Sequence, residues 1–278
     1  MERIAAVIID TYPDKILPLL AARRTSRLPN ISKLYTVSGA PFIPGAEFRK
    51  IEPIRSLTEY SAAVLNLLPE VVNEDHFLLI QWDGMPVRPA LWDDDYLRYD
   101  YIGAPWEGQP PGYAVGNGGF SLRSRRLLDA IHSLKIDLDP SDPTHQAEDT
   151  LICRTHRDHL EKAGIKFAPP EVARRFSFET GVLDTAVFGF HSTQNLPLFF
   201  SEDELLGHFR NIVSRQSSIK IAINYLENLA RLKMRDLLRL TVAAIHATPS
   251  LEASIRRVFP SLPPHYHVKI ELRQEFGS

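Results

Sequence analysis

The sequence holds one cysteine, Cys153, in 278 residues. No intrachain disulfide can form, which fits a reducing compartment, and a lone thiol reads as a small core hydrophobe. No apolar run approaches the ~18 residues that a membrane span needs. The apolar stretch near Met1 is too short for a secretory leader and ends in Asp10, so it reads as a strand. Charge of neither sign dominates: 32 Lys and Arg stand against 34 Asp and Glu, a net charge of −2. That balance argues against a polyanion binder, and with a pI of about 6.6 and no recognisable motif no nucleic-acid partner is expected. A Gly-X-Gly-X-X-Gly dinucleotide fingerprint is absent, as is any internal repeat. His145, His156 and His159 are too loosely spaced for a zinc site. These absences leave a cytoplasmic protein as the expectation.

The rest of the composition is ordinary for a globular protein, with 44% apolar and 24% charged residues. The length suits one large domain, or one domain with an appendage. Ile4 to Ile9 is apolar throughout, the pattern of a strand buried on both faces. It runs into Asp10-Thr11-Tyr12-Pro13, at the end of a strand where open α/β sheets bind ligands. Ile16 to Arg23 reads as a helix, and Lys33 to Val37 and Phe48 to Ile54 as strands. Ser56 is a candidate N-cap for a helix over Leu57 to Leu68, stopped by Pro69. Phe77 to Ile80 is a further buried strand leading into Gln81-Trp82-Asp83-Gly84. Helices are expected over Ser124 to Leu134 and Ala147 to Ala163, with short strands near Ile165 and over Val187 to Phe190. Strands alternating with helices predict an α/β fold with a mostly parallel central sheet flanked by helices.

Beyond about Pro197 the texture becomes helical: Glu202 to Val213, Ser218 to His246 and Leu251 to Val258. Residues 1–197 are therefore expected to form one domain, and 198–278 a helical extension packed on it. From Leu205 to Arg257, nine Lys and Arg face three Asp and Glu. A spacing of four places Arg231, Arg235 and Arg239 in one stripe on a helix. Such a stripe is usually a solvated face. The sharper reading is peripheral contact with the anionic inner face of a membrane, or binding of a lipid-diphosphate acceptor.

Four features follow one another along the chain. Asp83 sits just past a buried strand. A glycine-rich turn, Gly116-Asn117-Gly118-Gly119, comes next. Glu148 and Asp149 open a helix, and His191 ends Phe188-Gly189-Phe190-His191. Sugar transfer from a nucleotide diphosphate needs parts of these kinds. The departing diphosphate must be neutralised, usually by Mg²⁺ or Mn²⁺ on carboxylate and imidazole ligands. The acceptor hydroxyl must lose a proton to a base, and a turn without side chains lets backbone approach a sugar closely.

In this order the features resemble those of the GT-A glycosyltransferases. The stretch from Gln81 to His191 is also similar to an uncharacterised family of glycosyltransferase-like domains. It shares Gln-Trp-Asp-Gly, Tyr-Asp-Tyr-Ile-Gly-Ala-Pro-Trp at 99–106, Val-Gly-Asn-Gly-Gly-Phe-Ser-Leu-Arg-Ser at 115–124, Glu-Asp at 148–149 and Phe-Gly-Phe-His. The resemblance implies a GT-A-like, Rossmann-like domain that takes a nucleotide-sugar donor, a UDP-sugar first, and a glycan or lipid-linked acceptor. It implies Asp83 and His191 as ligands of Mn²⁺ or Mg²⁺, and Asp149 as catalytic base supported by Glu148. It also implies donor contacts from Asp10, Thr11, Tyr12, Gln81, Trp82, Asp83, Asn117, Gly118 and Gly119. Gln81 departs from the superfamily pattern, standing where the first of two acids is usual. Metal affinity should then be weaker, or basic side chains such as Arg123 and Arg154 could neutralise the diphosphate instead.

Each feature also has a plainer reading. An acid after a strand can be a turn residue, an acidic helix start complements the helix dipole, and His191 can be a satisfied turn histidine. Trp82, Trp106 and Tyr113 more often pack in a core than stack on a ligand. Asp93-Asp94-Asp95, with no buried strand before it, reads as a helix start. Two other functions stay open: a nucleotide-sugar or glycan-binding module that has lost catalysis, and a nucleotidyltransferase. The latter usually carries a glycine-rich signature after its first strand, which Asp10-Thr11-Tyr12-Pro13-Asp14 lacks.

Overall fold

The computed structural model describes residues 3–139, 147–184, 186–216 and 218–246. The helix expected over 251–258, His145 and the last two arginines of the basic excess lie outside them. By its internal contacts the chain divides into two compact units, Met1–His191 and Ser192–Ser278.

In the first unit, strand β1 (Ile4–Ile9) is apolar and buried at every position. It can be so because both its edges and both its faces are covered. It pairs in parallel with β2 (Ile31–Ser38) on one side and β4 (His76–Ile80) on the other. The sheet continues outward to β3 (Glu47–Lys50) beside β2, and to β7 (Ser121–Ser124) and β6 (Tyr101–Ile102) beside β4, in the order β3-β2-β1-β4-β7-β6. Only β7 runs against the rest, so the sheet is mostly parallel, as expected. The edge strand β3 is Glu-Phe-Arg-Lys and exposed throughout, and its charges discourage further pairing.

Alternation along β1 sends Ala5, Val7 and Ile9 into a core with Phe77, Leu79, Val64, Leu68, Val72 and Leu128. The helical side of that core is α2 (Leu57–Ala62), a π turn over Ala63–Leu67, and α3 (Leu68–Val71). Ser56 caps α2 as expected, its hydroxyl accepting from Glu59 N–H at 3.1 Å. The expected stop at Pro69 does not occur. Proline costs a helix one hydrogen bond and crowds the preceding turn; here the chain widens into the π turn just before it and continues to Val71. A second core lies under α4 (Arg125–Ser133), where Leu127 and Ile131 meet Leu151, Ile152, Cys153, Leu160 and Phe167. Cys153 is buried there, as its reading as a core hydrophobe requires.

The segment from 147 to 163 is also interrupted. A short α5 (Glu148–Thr150) leads into a π turn over Leu151–Thr155, and α6 (Arg157–Lys162) follows. A small second sheet holds β5 (Gly84–Pro86), β9 (Gly189–His191) and β8 (Ser177–Phe178), in that order. Near it Phe120 stacks on Phe176 at 5.0 Å, Phe188 lies tilted against both, and Trp92 packs edge-on against Phe188. Asp93 caps a 3-10 turn over Asp94–Arg98 through Asp95 N–H, which is the helix start expected of that acidic run.

In the second unit the helices are shorter than expected. Glu202 to Val213 breaks at Gly207 and His208 into α9 (Glu202–Leu206) and α10 (Phe209–Ser214), after the short α8 (Leu196–Phe199). Ser218 to His246 breaks into α11 (Ile219–Arg231) and α12 (Arg235–His246). The second break corrects the basic stripe: Arg231 ends one helix and Arg235 opens the next. Lys233 adopts a left-handed conformation, φ +58°, and Met234 N–H reaches back to the Leu229 carbonyl at 3.0 Å. This is a helix-ending motif that usually places glycine at the left-handed position; with lysine there, no turn signal marked it. Among the described residues no helix is long and apolar enough to cross a membrane.

Candidate active site

The parallel register aligns Ile8 with Ile80, so β1 and β4 end at the same edge of the sheet. Asp10 emerges there, 8% exposed. Its carboxylate accepts from Tyr12 N–H at 3.0 Å and pairs with Lys15 Nζ at 2.9 Å, which folds the loop over the strand end. Thr11 Oγ1 accepts from Ile54 N–H at 2.8 Å. Of the three residues expected near a nucleotide, Tyr12 is the most open, at 39%.

From β4 the chain turns back at once. Gln81 and Gly84 exchange both backbone hydrogen bonds, at 3.0 and 3.1 Å, with Trp82 and Asp83 as the two turn residues between them. The returning strand β5 pairs with β9 in a register that sets Gly84 opposite His191. Residues 110 positions apart are thereby brought into one cluster. His191 Nε2 lies 3.2 Å from Gln81 Oε1 and 3.9 Å from Asp83 Oδ1. Its Nδ1 lies 3.1 Å from Glu179 Oε1. Burial disfavours a charged ring. The hydrogen bond to Glu179 and the negative charges of Asp83 and Glu179 outweigh it and push the imidazole up to about 9.

Once His191 gives up its Nε2 proton, one carboxylate, one imidazole and one amide oxygen converge here, a donor set that suits Mn²⁺ or Mg²⁺ with further positions for phosphate oxygen or water. Glu179 on the far ring nitrogen is the partner that orients a ligating histidine. The set is lean. Among the described residues no group of three or more His, Cys, Asp or Glu is arranged to hold a metal ion.

The glycine turn passes along this cluster. A side chain at Gly119 would run into the His191 ring, and one at Gly118 into Glu148 Oε1 at 2.6 Å and Arg123 Nη2 at 2.8 Å. At Gly116 it would run into the Trp106 ring. The space these glycines leave is thus filled by the protein's own side chains. Gly118 N–H donates to Asp149 Oδ2 at 2.9 Å, and Asp149 Oδ1 accepts from Thr150 N–H at 2.7 Å. Burial, then the neighbouring charge of Glu148, push the Asp149 carboxyl up from 3.8 to about 6, against the pull of those N–H groups and Arg123. Asn117 Oδ1 is turned inward and accepts from Gly119 N–H at 3.2 Å.

Glu148 faces inward too. It is 3% exposed, pairs with Arg123 at 2.7 Å, and takes a hydrogen bond from Ser61 Oγ at 3.3 Å. Its own N–H donates back to Ser61 Oγ at 3.1 Å. Both its oxygens are engaged, so adjacent acids have different tasks. Arg123 is 0% exposed, which removes it as a neutraliser of a diphosphate. Arg154 lies with its guanidinium 4.1 Å over the Trp106 ring.

Asp83, Gln81 and His191 therefore come together, and Asp149 and Glu148 join Gly118 on the adjoining turn. Asp10 and Thr11 lie at the same sheet edge but are engaged, Asp10 within its own loop and Thr11 with Ile54. Glu179, Ser61 and the pairing of Arg123 with Glu148 escaped the sequence reading. Nothing around Glu179 distinguishes it from a surface acid until β8 and β9 pair.

The sequence profile of a family described as "Protein of unknown function (DUF5672)" matches residues 47–192; the chain belongs to that family. No curated protein matches it. Among solved structures, it is similar to the mannosyltransferase PcManGT from Pyrobaculum calidifontis in complex with GDP-Man and Mn²⁺, at 11% identity and a TM-score of 0.42. That match covers 98% of this chain and 84% of the other. Similarity to S. aureus TarS 1-349 has 11% identity and a TM-score of 0.41, covering 99% and 92%. The bifunctional IspDF from Campylobacter jejuni matches at 13% identity and a TM-score of 0.38, over 60% of this chain and 49%, about half, of its own length.

Proposed function

We propose that this member of the DUF5672 family is a glycosyltransferase that moves a sugar from a nucleotide-diphosphate donor to a hydroxyl acceptor, with Asp149 as base. The observation that carries the reading is the placement of Asp149. Its proton affinity is raised to about 6 and it is fixed by Gly118 N–H, one residue from the glycine that backs onto His191. A base titrating near the working pH is effective in proton abstraction.

In the reaction, the acceptor hydroxyl gives its proton to Asp149 as its oxygen bonds to the anomeric carbon. The bond from that carbon to the diphosphate oxygen breaks, and its electron pair leaves with the diphosphate. A single displacement of this kind inverts the anomeric centre. Glu148 holds the loop rather than the proton. The leaving group lies toward the Asp83, Gln81 and His191 cluster, with Trp82 and Asn117 on its flanks and Tyr12 toward the nucleotide. A bound Mn²⁺ or Mg²⁺ would supply positive charge to the diphosphate there.

The test is turnover of UDP-, GDP- and dTDP-sugars by Asp149→Asn. The reading expects donor binding to persist and transfer to fall by two orders of magnitude or more, on the order of the usual worth of a general base. Full activity in that variant would remove the base assignment. The binding-module reading draws on one feature, the amide of Gln81 in place of an acid. It expects Gln81→Asp to gain metal affinity with no gain in turnover.

A further inference from the structure

Three groups meet the glycine turn in order. The His191 ring fills the space at Gly119, Glu148 and Arg123 that at Gly118, where Asp149 is also bound, and Trp106 that at Gly116. Three peptide units separate the first from the last, at most about 11 Å. Along the turn, the glycine that binds the base thus falls between the one that meets His191 and the one that meets Trp106. On Trp106 lies Arg154, its guanidinium 4.1 Å from the ring centre. Arg154 belongs to the π turn that follows Asp149. In an α-helix residues five apart stand well round the axis from each other, and an i→i+5 turn narrows that angle.

Arg154 is half-buried, its Nε is enclosed without a hydrogen-bond partner, and among the described residues it makes no ion pair. Two other arginines near this turn are held by carboxylates. Arg123 holds Glu148, and Arg157 holds Glu161 at 2.9 Å while packing on Phe167. A guanidinium resting over an indole keeps its charge and its terminal N–H donors while losing its freedom. That is the preparation for a two-pronged contact with an oxyanion.

Taking Asp149 as the base, and so resting on the proposed function, we infer that Arg154 on Trp106 is an acceptor subsite for an anionic group, so that the acceptor is a phosphorylated or carboxylated hydroxyl compound. The donor diphosphate lies on the other side of the base, at His191. Recognition by charge on the acceptor side separates the intended hydroxyl from water and neutral sugars.

The full chain is titrated with glucose 6-phosphate, glucuronate and glucose, following tryptophan fluorescence, with Trp106→Phe identifying the reporting ring. Binding of UDP and GDP is measured in parallel by calorimetry. Arg154→Gln removes the charge, and Arg154→Lys keeps it without the planar fork. The expected result is at least tenfold tighter binding of one or both anionic sugars than of glucose. Arg154→Gln abolishes that preference, Arg154→Lys weakens it, and nucleoside-diphosphate affinity is unchanged in both. A preference for phosphate over carboxylate, or the reverse, names the group. Equal affinity for charged and neutral sugars overturns the inference. So does loss of UDP or GDP affinity in Arg154→Gln, which would move Arg154 to the donor. If neither nucleotide binds wild-type protein while the anionic preference is present and needs Arg154, the glycosyltransferase reading fails and the anion site stands.

Discussion

Arg123 and Glu148 form a 2.7 Å ion pair from which solvent is excluded on both sides, with side chains 0% and 4% exposed. The pair ties β7 to the start of α5, and so fixes Gly118, Glu148 and Asp149 as one body. Removing either partner strands a buried charge, which costs about 3–5 kcal/mol. Arg123→Met and Glu148→Gln are each expected to lower unfolding free energy by that order in urea titration. The double variant should lose clearly less than the sum, since neither charge is then left alone.

Asp149 has a sign that can be checked. Its carboxyl is raised from 3.8 to about 6 by burial and by Glu148. The folded state therefore holds this proton more tightly than the unfolded chain. The contribution to stability is greatest below pH 3.8 and is lost as pH rises through about 6. Asp149→Asn, which cannot ionise, should be as stable as wild type or more so at about pH 8, with the difference shrinking as pH falls toward about 4. Transfer by the wild type should rise with pH through about 6 as the base is freed. Unfolding curves and pH–rate profiles of the two proteins give both answers.

The glycines make separate demands. Gly118→Ala would push a methyl into Glu148 and Arg123, and Gly119→Ala into the His191 ring. Overpacking of this kind costs about 1–3 kcal/mol. At Gly112 a methyl would meet nothing within 4 Å, which makes this position the control: Gly112→Ala is expected to be near neutral. Thermal unfolding of the three variants tests the order.

Glu179 orients His191 through Nδ1 at 3.1 Å. Loss of such an outer partner typically costs about 10–100-fold in metal affinity. Glu179→Ala should weaken Mn²⁺ binding by that factor in electron paramagnetic resonance titrations, with little change in unfolding temperature.

The parallel sheet was legible because β1 and β4 are apolar at nearly every position, and only a doubly covered strand tolerates that. Asp83 and His191 were legible as residues but not as neighbours. Their contact depends on β5 and β9, three residues each, too short for any periodicity to show. Glu148 and Asp149 look equivalent in sequence. Ser61 and Arg123, distant along the chain, separate them by engaging one carboxylate completely. Pro69 and Lys233 went the other way from local propensity: the stop expected at the first is absorbed by a π turn, and an unexpected stop at the second is made by a lysine in a glycine's conformation. The Arg231, Arg235 and Arg239 stripe failed with that second break.

The central claim is that Asp83 and His191 hold a divalent cation that takes the diphosphate of a nucleotide sugar. The unfolding temperature of the protein in the presence of UDP-, GDP-, dTDP- and CMP-sugars, with and without Mn²⁺, tests it most directly, since a ligand of the folded state raises stability by mass action. The account predicts a rise for one nucleotide class, larger with Mn²⁺ and absent in Asp83→Ala. No rise with any donor, or a rise that Asp83→Ala keeps in full, would contradict it.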